Sequence, residues 1–172
     1  MYENSLSLGI YKLYDDVSDV TFATSGAACF DIRAYTKDQK IRVYSLYNDE
    51  TFILNRSINE FRLPAKCRAL IPTGLILDIP VNHSVRIHPR SSYALKYGIA
   101  LANCEGIIDY DYTDPLFILI ENNSSISFSV KHGDRIAQGE LIENLNYNIR
   151  YTTDAPSRTE TNRTGGFGST GR

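Results

Sequence analysis

Three signals that would narrow the function at once are missing from this chain. Its 18 Lys and Arg stand against 20 Asp and Glu, a formal net charge of −2. The basic footprint of a nucleic-acid binder is therefore absent. A phosphate-bearing ligand would have to be met by local basic groups, backbone N–H groups or a metal ion. The three cysteines, Cys29, Cys67 and Cys104, are far apart, form no C-x-x-C pair and have no histidine at ligand spacing. That argues against a disulfide framework and a zinc site, and leaves them as small buried hydrophobes in a reducing compartment. Met1-Tyr2-Glu3-Asn4 brings no basic n-region and no apolar h-region, so no signal peptide is expected. No apolar run approaches the ~20 residues of a membrane span. Triplets such as Asn122-Asn123-Ser124 and Asn162-Arg163-Thr164 then read as chance glycosylation matches. The expected setting is the cytoplasm, that of the host if the source is viral, with no membrane and no nucleic acid as partner.

What is present is a chain of 172 residues, 42% hydrophobic, enough for one domain with a real core. Short runs of alternating or apolar residues recur between turn signals. They include residues 6–14, 30–35, 41–47 and 51–54, 68–79, 84–88, 106–109, 117–120, 126–130 and 135–142. Strands at that spacing predict an all-β sandwich or barrel. The runs at 41–47 and 51–54, split by Asn48-Asp49-Glu50, read as a hairpin with polar turn residues. A single helix is expected after Pro89, where Ser91 and Ser92 precede Tyr93-Ala94-Leu95-Lys96-Tyr97 and Gly98 closes the stretch. Those serines either cap the helix or join Arg90 in an anion site.

Two segments hold the candidate chemistry. In Phe30-Asp31-Ile32-Arg33-Ala34, Asp31 and Arg33 share one strand face. They either pair with each other, or Asp31 holds a hydrated metal ion. Gly106-Ile107-Ile108-Asp109-Tyr110-Asp111-Tyr112 reads as a strand entering a tight turn, with Phe117-Ile118-Leu119-Ile120 as the return strand. Its aspartates either serve the turn or stand at the mouth of a pocket. From Thr152 the chain becomes rich in Thr, Ser, Gly and Arg and nearly free of aliphatics. That composition builds no core and predicts a flexible arm over 152–172 beside a domain over 1–151. Gly166-Phe167-Gly168-Ser169-Thr170-Gly171 matches G-x-G-x-x-G, but no strand leads in and no helix follows, so it is no dinucleotide fingerprint. Its backbone N–H groups can still wrap phosphates, and Phe167 can stack on a base.

Five stretches stand in one order: Ala27-Ala28-Cys29-Phe30-Asp31-Ile32-Arg33-Ala34, Pro89-Arg90-Ser91-Ser92, Gly106-Ile107-Ile108-Asp109-x-x-Tyr112, Gly133-Asp134-Arg135-Ile136-Ala137-Gln138, and Arg163-x-Gly165-Gly166-Phe167-Gly168-Ser169-Thr170-Gly171. Together they resemble the homotrimeric dUTPase family. The sequence departs from its pattern in four places. Cys29 stands where glycine is usual, Thr113-Asp114-Pro115 fills the turn after the tyrosine, and Arg163 lies one residue beyond the usual arginine. The interval between the first motif and Ile71 is also longer than usual, so residues 41–54 read as an inserted surface hairpin.

The resemblance implies a jelly-roll-like β-barrel with one short helix, and a homotrimer whose active sites are shared among subunits. The reaction it implies is hydrolysis of dUTP to dUMP and pyrophosphate with Mg²⁺, which clears dUTP and supplies dUMP for thymidylate synthesis. Carried over by residue, Asp109 would be the general base, and Asn103, Gly106, Ile107 and Ile108 would read uracil. Tyr112 would exclude a 2′-hydroxyl, and Asp31 would hold Mg²⁺ through water. Arg90, Ser91, Ser92 and Gln138 would contact the phosphates. From the arm, Arg163, Gly168, Ser169 and Thr170 would clamp the outer phosphates and Phe167 would cover the base. A dCTP deaminase-type enzyme and a dUTPase-like regulatory binding protein are the alternative readings.

Overall fold

The computed structural model describes residues 6–54 and 60–156. Thirteen strands and one helix occur among them. In chain order they are β1 Gly9–Lys12, β2 Phe30–Arg33, β3 Lys40–Tyr44, β4 Glu50–Leu54, β5 Glu60–Leu63, β6 Arg68–Pro72, β7 Leu75–Asp78, β8 His83–Pro89, α1 Ser91–Tyr97, β9 Ile99–Leu101, β10 Gly106–Asp109, β11 Phe117–Asn122, β12 Phe128–Lys131 and β13 Arg135–Glu143. The fold is all-β, as the spacing of the runs predicts, and jelly-roll-like, as the resemblance implies. No helix among the described residues is long and apolar enough to cross a membrane.

Two larger sheets, ordered β10-β8-β13-β2 and β4-β3-β6-β11-β9, are joined by the two-stranded ribbons β1-β7 and β12-β5. The period-2 pattern explains why each strand buries one face. Ile41 and Val43 of β3, Ala69 and Ile71 of β6, and Ile118 and Ile120 of β11 all point inward. They meet Ile32, Val85, Ile87 and Ile136 of the four-stranded sheet in one core cluster. The chain switches sheets at Thr73-Gly74. Thr73 Oγ1 donates to the Leu116 carbonyl at 2.7 Å. Gly74 takes φ 73°, and a Cβ there would meet Val17 Cγ2 at 2.7 Å, so the corner needs glycine.

Three expectations change. The hairpin over 41–54 forms, but its first strand is not a surface element. β3 pairs with β6 as well as β4, and Ile41 and Val43 are 0% and 2% exposed. The strand at 106–109 does not take 117–120 as its ladder partner. β10 pairs with β8, while β11 pairs with β6 and β9 in the other sheet. Apolar burial decides this: Ile118 and Ile120 must lie inward beside Ile71, which commits β11 to the five-stranded sheet. At the helix, Arg90 rather than either serine occupies the N-cap, without a side-chain capping bond. Gly98 ends the helix in the left-handed region at φ 66°, as the glycine signal predicts.

Candidate active site

The four-stranded sheet collects the first, second and fourth motifs. β13 runs between β2 and β8, so Gln138 lies opposite Asp31 on one side and His88 on the other. Asp31 is 4% exposed, and a buried carboxylate needs a partner. Arg135 supplies it, with Nη1 donating to Asp31 Oδ2 at 3.1 Å. The Arg135 carbonyl in turn accepts a hydrogen bond from Arg90 Nη1 at 2.8 Å. The Arg90 guanidinium also sits 5.5 Å from the centre of the Tyr93 ring, within cation–π range. Arg135 therefore ties Asp31 to Arg90, a role the motif alone does not reveal. The expected Asp31–Arg33 pair does not form, because Arg33 Nη1 donates to the Gly133 carbonyl at 2.8 Å instead. A register shift between Arg135 and Ala137 bends β13 where this network is built. Ser91 and Ser92 follow Arg90 in the first turn of α1.

The donor set around Asp31 can be tested against Mg²⁺. It offers one buried carboxylate, with one oxygen committed to Arg135, and the Gln138 carboxamide on the neighbouring strand. That is too few oxygens for a dedicated cage. It suits a hydrated ion that arrives on a phosphate chain and keeps most of its waters.

The third motif forms a separate cleft. Asn103, Gly106, Ile107 and Ile108 line a cavity of about 260 Å³, closed on the far side by Phe117–Leu119. Its volume lies at the small end of ligand pockets, the scale of a single base. β10 is an edge strand, with β8 as its only ladder neighbour among the described residues. Its other edge presents N–H and C=O groups that no ladder among the described residues uses. A planar heterocycle can pair with such an edge as a strand would. Two devices shape the wall. A Cβ on Gly106 would stand 3.0 Å from Ile87 Cβ, so glycine lets β10 close on β8. Cys104 takes φ 64°, which turns the chain so that Asn103 reaches the cleft.

Asp109 ends β10 opposite Ser84 and is exposed. Its carbonyl accepts the Tyr112 N–H at 3.1 Å, closing a four-residue turn. The Tyr112 hydroxyl donates to the Pro115 carbonyl at 3.2 Å. The Thr113-Asp114-Pro115 turn thus braces the Tyr112 ring. Asp109 and the Asp31–Arg90–Gln138 group occupy opposite ends of one sheet. Three strand gaps of ~4.8 Å and four residues of ~3.3 Å separate Asp109 from Asp31, about 20 Å along the sheet. One chain does not bring them together.

Sequence spacing shows no cysteine metal site, yet the fold brings Cys29, His88 and Glu140 together, with ligand atoms within 4.8 Å of one another. Burial, with the Glu140 charge adding to it, pushes the Cys29 thiol above its ordinary pKa. Past β13, Leu145, Tyr147, Ile149 and Tyr151 are 86%, 81%, 79% and 99% exposed, an alternating apolar row with no partner strand among the described residues. Arg163, Phe167, Gly168, Ser169 and Thr170 lie outside the described residues.

Comparison with known proteins agrees with this fold. A sequence model of the dUTPase family matches residues 56–171. A deoxyuridine 5′-triphosphate nucleotidohydrolase from Roseobacter denitrificans is 36% identical over 151 residues, 87% of this chain and 84% of that one. Among solved structures, a point mutant of the Staphylococcus bacteriophage 80alpha dUTPase with dUpNHpp superposes with a TM-score of 0.70 at 18% identity, covering 96% of this chain and 99% of that one. A dUTPase point mutant from phage phi11 of S. aureus, whose structure details the coordination of a structural Mg(II) ion, gives a TM-score of 0.64 at 17% identity over 86% and 97% of the two chains. The motifs, the jelly-roll-like sheets and the matched span carry one conclusion: this chain belongs to the dUTPase family.

Proposed function

We propose that this chain hydrolyses dUTP to dUMP and pyrophosphate, with Mg²⁺, in active sites shared among the subunits of a homotrimer. One observation carries the reading beyond family membership. The base-sized cleft with Asp109 and the row of Asp31, Arg90 and Gln138 lie at opposite ends of the same sheet. Each is half a site, and a second copy joins one half to the other. The exposed apolar row at Leu145, Tyr147, Ile149 and Tyr151 supports an oligomer, since so much apolar surface on an extended segment asks for a covering strand.

In that site, backbone groups of Ile107 and Ile108 and the Asn103 side chain meet the donor–acceptor edge of uracil. Tyr112, braced on Pro115, packs against deoxyribose and leaves no room for a 2′-hydroxyl. Arg90, Ser91, Ser92 and Gln138 hold the phosphate chain. The arm, residues 152–172, brings Arg163, Gly168, Ser169 and Thr170 to the outer phosphates and Phe167 onto the base, expelling water. Asp109 orients the attacking water and takes its proton. The water oxygen bonds to the α-phosphorus, the bond to the bridging oxygen breaks, and pyrophosphate leaves with the electron pair. Mg²⁺, held through water by Asp31, would offset the charge of the triphosphate. A carboxylate is a weak base at neutral pH, so positioning and charge stabilisation carry most of the rate.

A panel of dUTP, dCTP, dTTP and UTP with Mg²⁺ and pyrophosphate detection tests this. Pyrophosphate from dUTP alone is expected. Ammonia release from dCTP would instead indicate a deaminase. Tight dUTP binding without pyrophosphate would indicate a regulatory binding protein.

A further inference from the structure

We propose that Cys29, His88 and Glu140 form a binding site for a thiophilic divalent cation, Zn²⁺ above all, on the face of the four-stranded sheet that also carries Asp31 and Gln138. The three side chains come from three adjacent strands or their ends. β-Register sets their places. Phe30 pairs with Gly139 and Asp31 with Gln138, so Cys29, two residues before Asp31, falls beside Glu140, two residues after Gln138. Successive side chains alternate faces, and this puts Cys29, Asp31, Gln138, Glu140 and His88 on one face.

The close approach of β2 and β13 is enforced locally. A Cβ on Gly139 would stand 2.3 Å from Phe30 Cζ, so the glycine lets the Phe30 ring lie flat on β13. The outcome is one sulfur, one imidazole nitrogen and one carboxylate oxygen within 4.8 Å of one another, all half-buried. Small rotamer changes bring such atoms to the ~2.0–2.3 Å bond lengths of tetrahedral zinc.

The orientation of His88 is the second, independent observation. Its Nε2 lies 3.2 Å from Glu140 Oε2, and its Nδ1 lies 3.6 Å from Glu105 Oε1. The Glu140 carboxylate can only accept, so Nε2–H donates to it in the metal-free chain. A cation that takes Nε2 leaves the ring proton on Nδ1, on the side of Glu105, the arrangement that metal-binding histidines use. Thiolate and imidazole ligands favour Zn²⁺ over Mg²⁺, which prefers six oxygens. Three protein ligands leave a fourth position for water. This site would stand whether or not dUTP is the substrate.

The test uses the full-length protein, stripped with a chelator, dialysed and titrated with Co²⁺. Binding of one Co²⁺ per chain, with a sulfur-to-cobalt charge-transfer band and tetrahedral d–d bands that Zn²⁺ abolishes and excess Mg²⁺ leaves unchanged, is expected. Cys29→Ser should remove the charge-transfer band, while Cys67→Ser and Cys104→Ser keep it. Glu140→Gln leaves the sulfur in place and should weaken Zn²⁺ at least tenfold. Glu105→Gln should weaken it by about 10–100-fold, the usual cost of losing such a supporting group. Absence of the band, its survival in Cys29→Ser, or displacement of Co²⁺ by Mg²⁺ would overturn the proposal.

Discussion

The sharing of the site between subunits can be tested with two inactive proteins. Groups that touch the same phosphate, each through a contact of ~3 Å, stand within about 8 Å of one another. Asp109 stands opposite Ser84, six residues of ~3.3 Å before Arg90, so the two positions are about 20 Å apart along the sheet, too far to meet one phosphate and its attacking water from one chain. Asp109→Asn and Arg90→Ala should each give an inactive homotrimer. Co-expressed at equal levels, they should regain activity. A productive site needs an Asp109 donor with its aspartate intact and a neighbouring Arg90 donor with its arginine intact. Each condition holds with a chance of one half, giving about one quarter of wild-type activity in the mixture. Two different affinity tags then isolate only mixed trimers. Around a three-membered ring holding both variants, one ordered neighbour pair in three is productive whichever variant is in excess. Activity should therefore rise to about one third of wild type. Pyrophosphate release per trimer is the assay, with the separate variants as controls. No recovery in two-tag trimers of intact size would refute the shared site. Recovery well above one third would refute the ring geometry.

Ile41→Ala should cost about 2–5 kcal/mol, because it empties a fully buried position in β3. Urea unfolding checks it, and a loss below about 0.5 kcal/mol, the range of surface substitutions, would return residues 41–54 to the surface. Tyr112→Ala should admit UTP and raise its kcat/KM relative to dUTP. Tyr112→Phe, which loses only the bond to Pro115, worth about 1 kcal/mol, should still reject UTP. Tyr35, buried first of all and then hydrogen-bonded to Asp16, is pushed up to about 12. Its proton is held more tightly folded than unfolded, so its contribution to stability is complete below about pH 10 and falls as pH rises towards 12. Ultraviolet titration should find a tyrosine ionising late. Asp16→Asn should bring it only part of the way back, since burial is the larger cause.

The alternation in β3, β6 and β11 was legible because one buried face per strand leaves a period-2 trace. Pairing was legible only where it was local. The Ser45–Asp49 turn closes β3 onto β4 as its polar residues suggest. Gly106–Asp109 and Phe117–Asn122 are also near in sequence, yet they join different sheets. Their partners were settled by which apolar residues had to be inside, a property of the whole chain. That outcome is what opens the cleft: had β10 laddered with β11, the backbone edge facing Asn103 would have been consumed. The same limit hid Arg135 behind Arg33, since an ion pair two residues apart looks easier than one across 104 residues. It also hid the Cys29–His88–Glu140 cluster. Motif spacings for metal sites record ligands that share one turn or one helix face. Ligands on three side-by-side strands keep no fixed spacing, because any loop length can join the strands without moving the atoms. Cysteine arithmetic therefore excludes knuckles and fingers in this chain, but not a site built across a sheet.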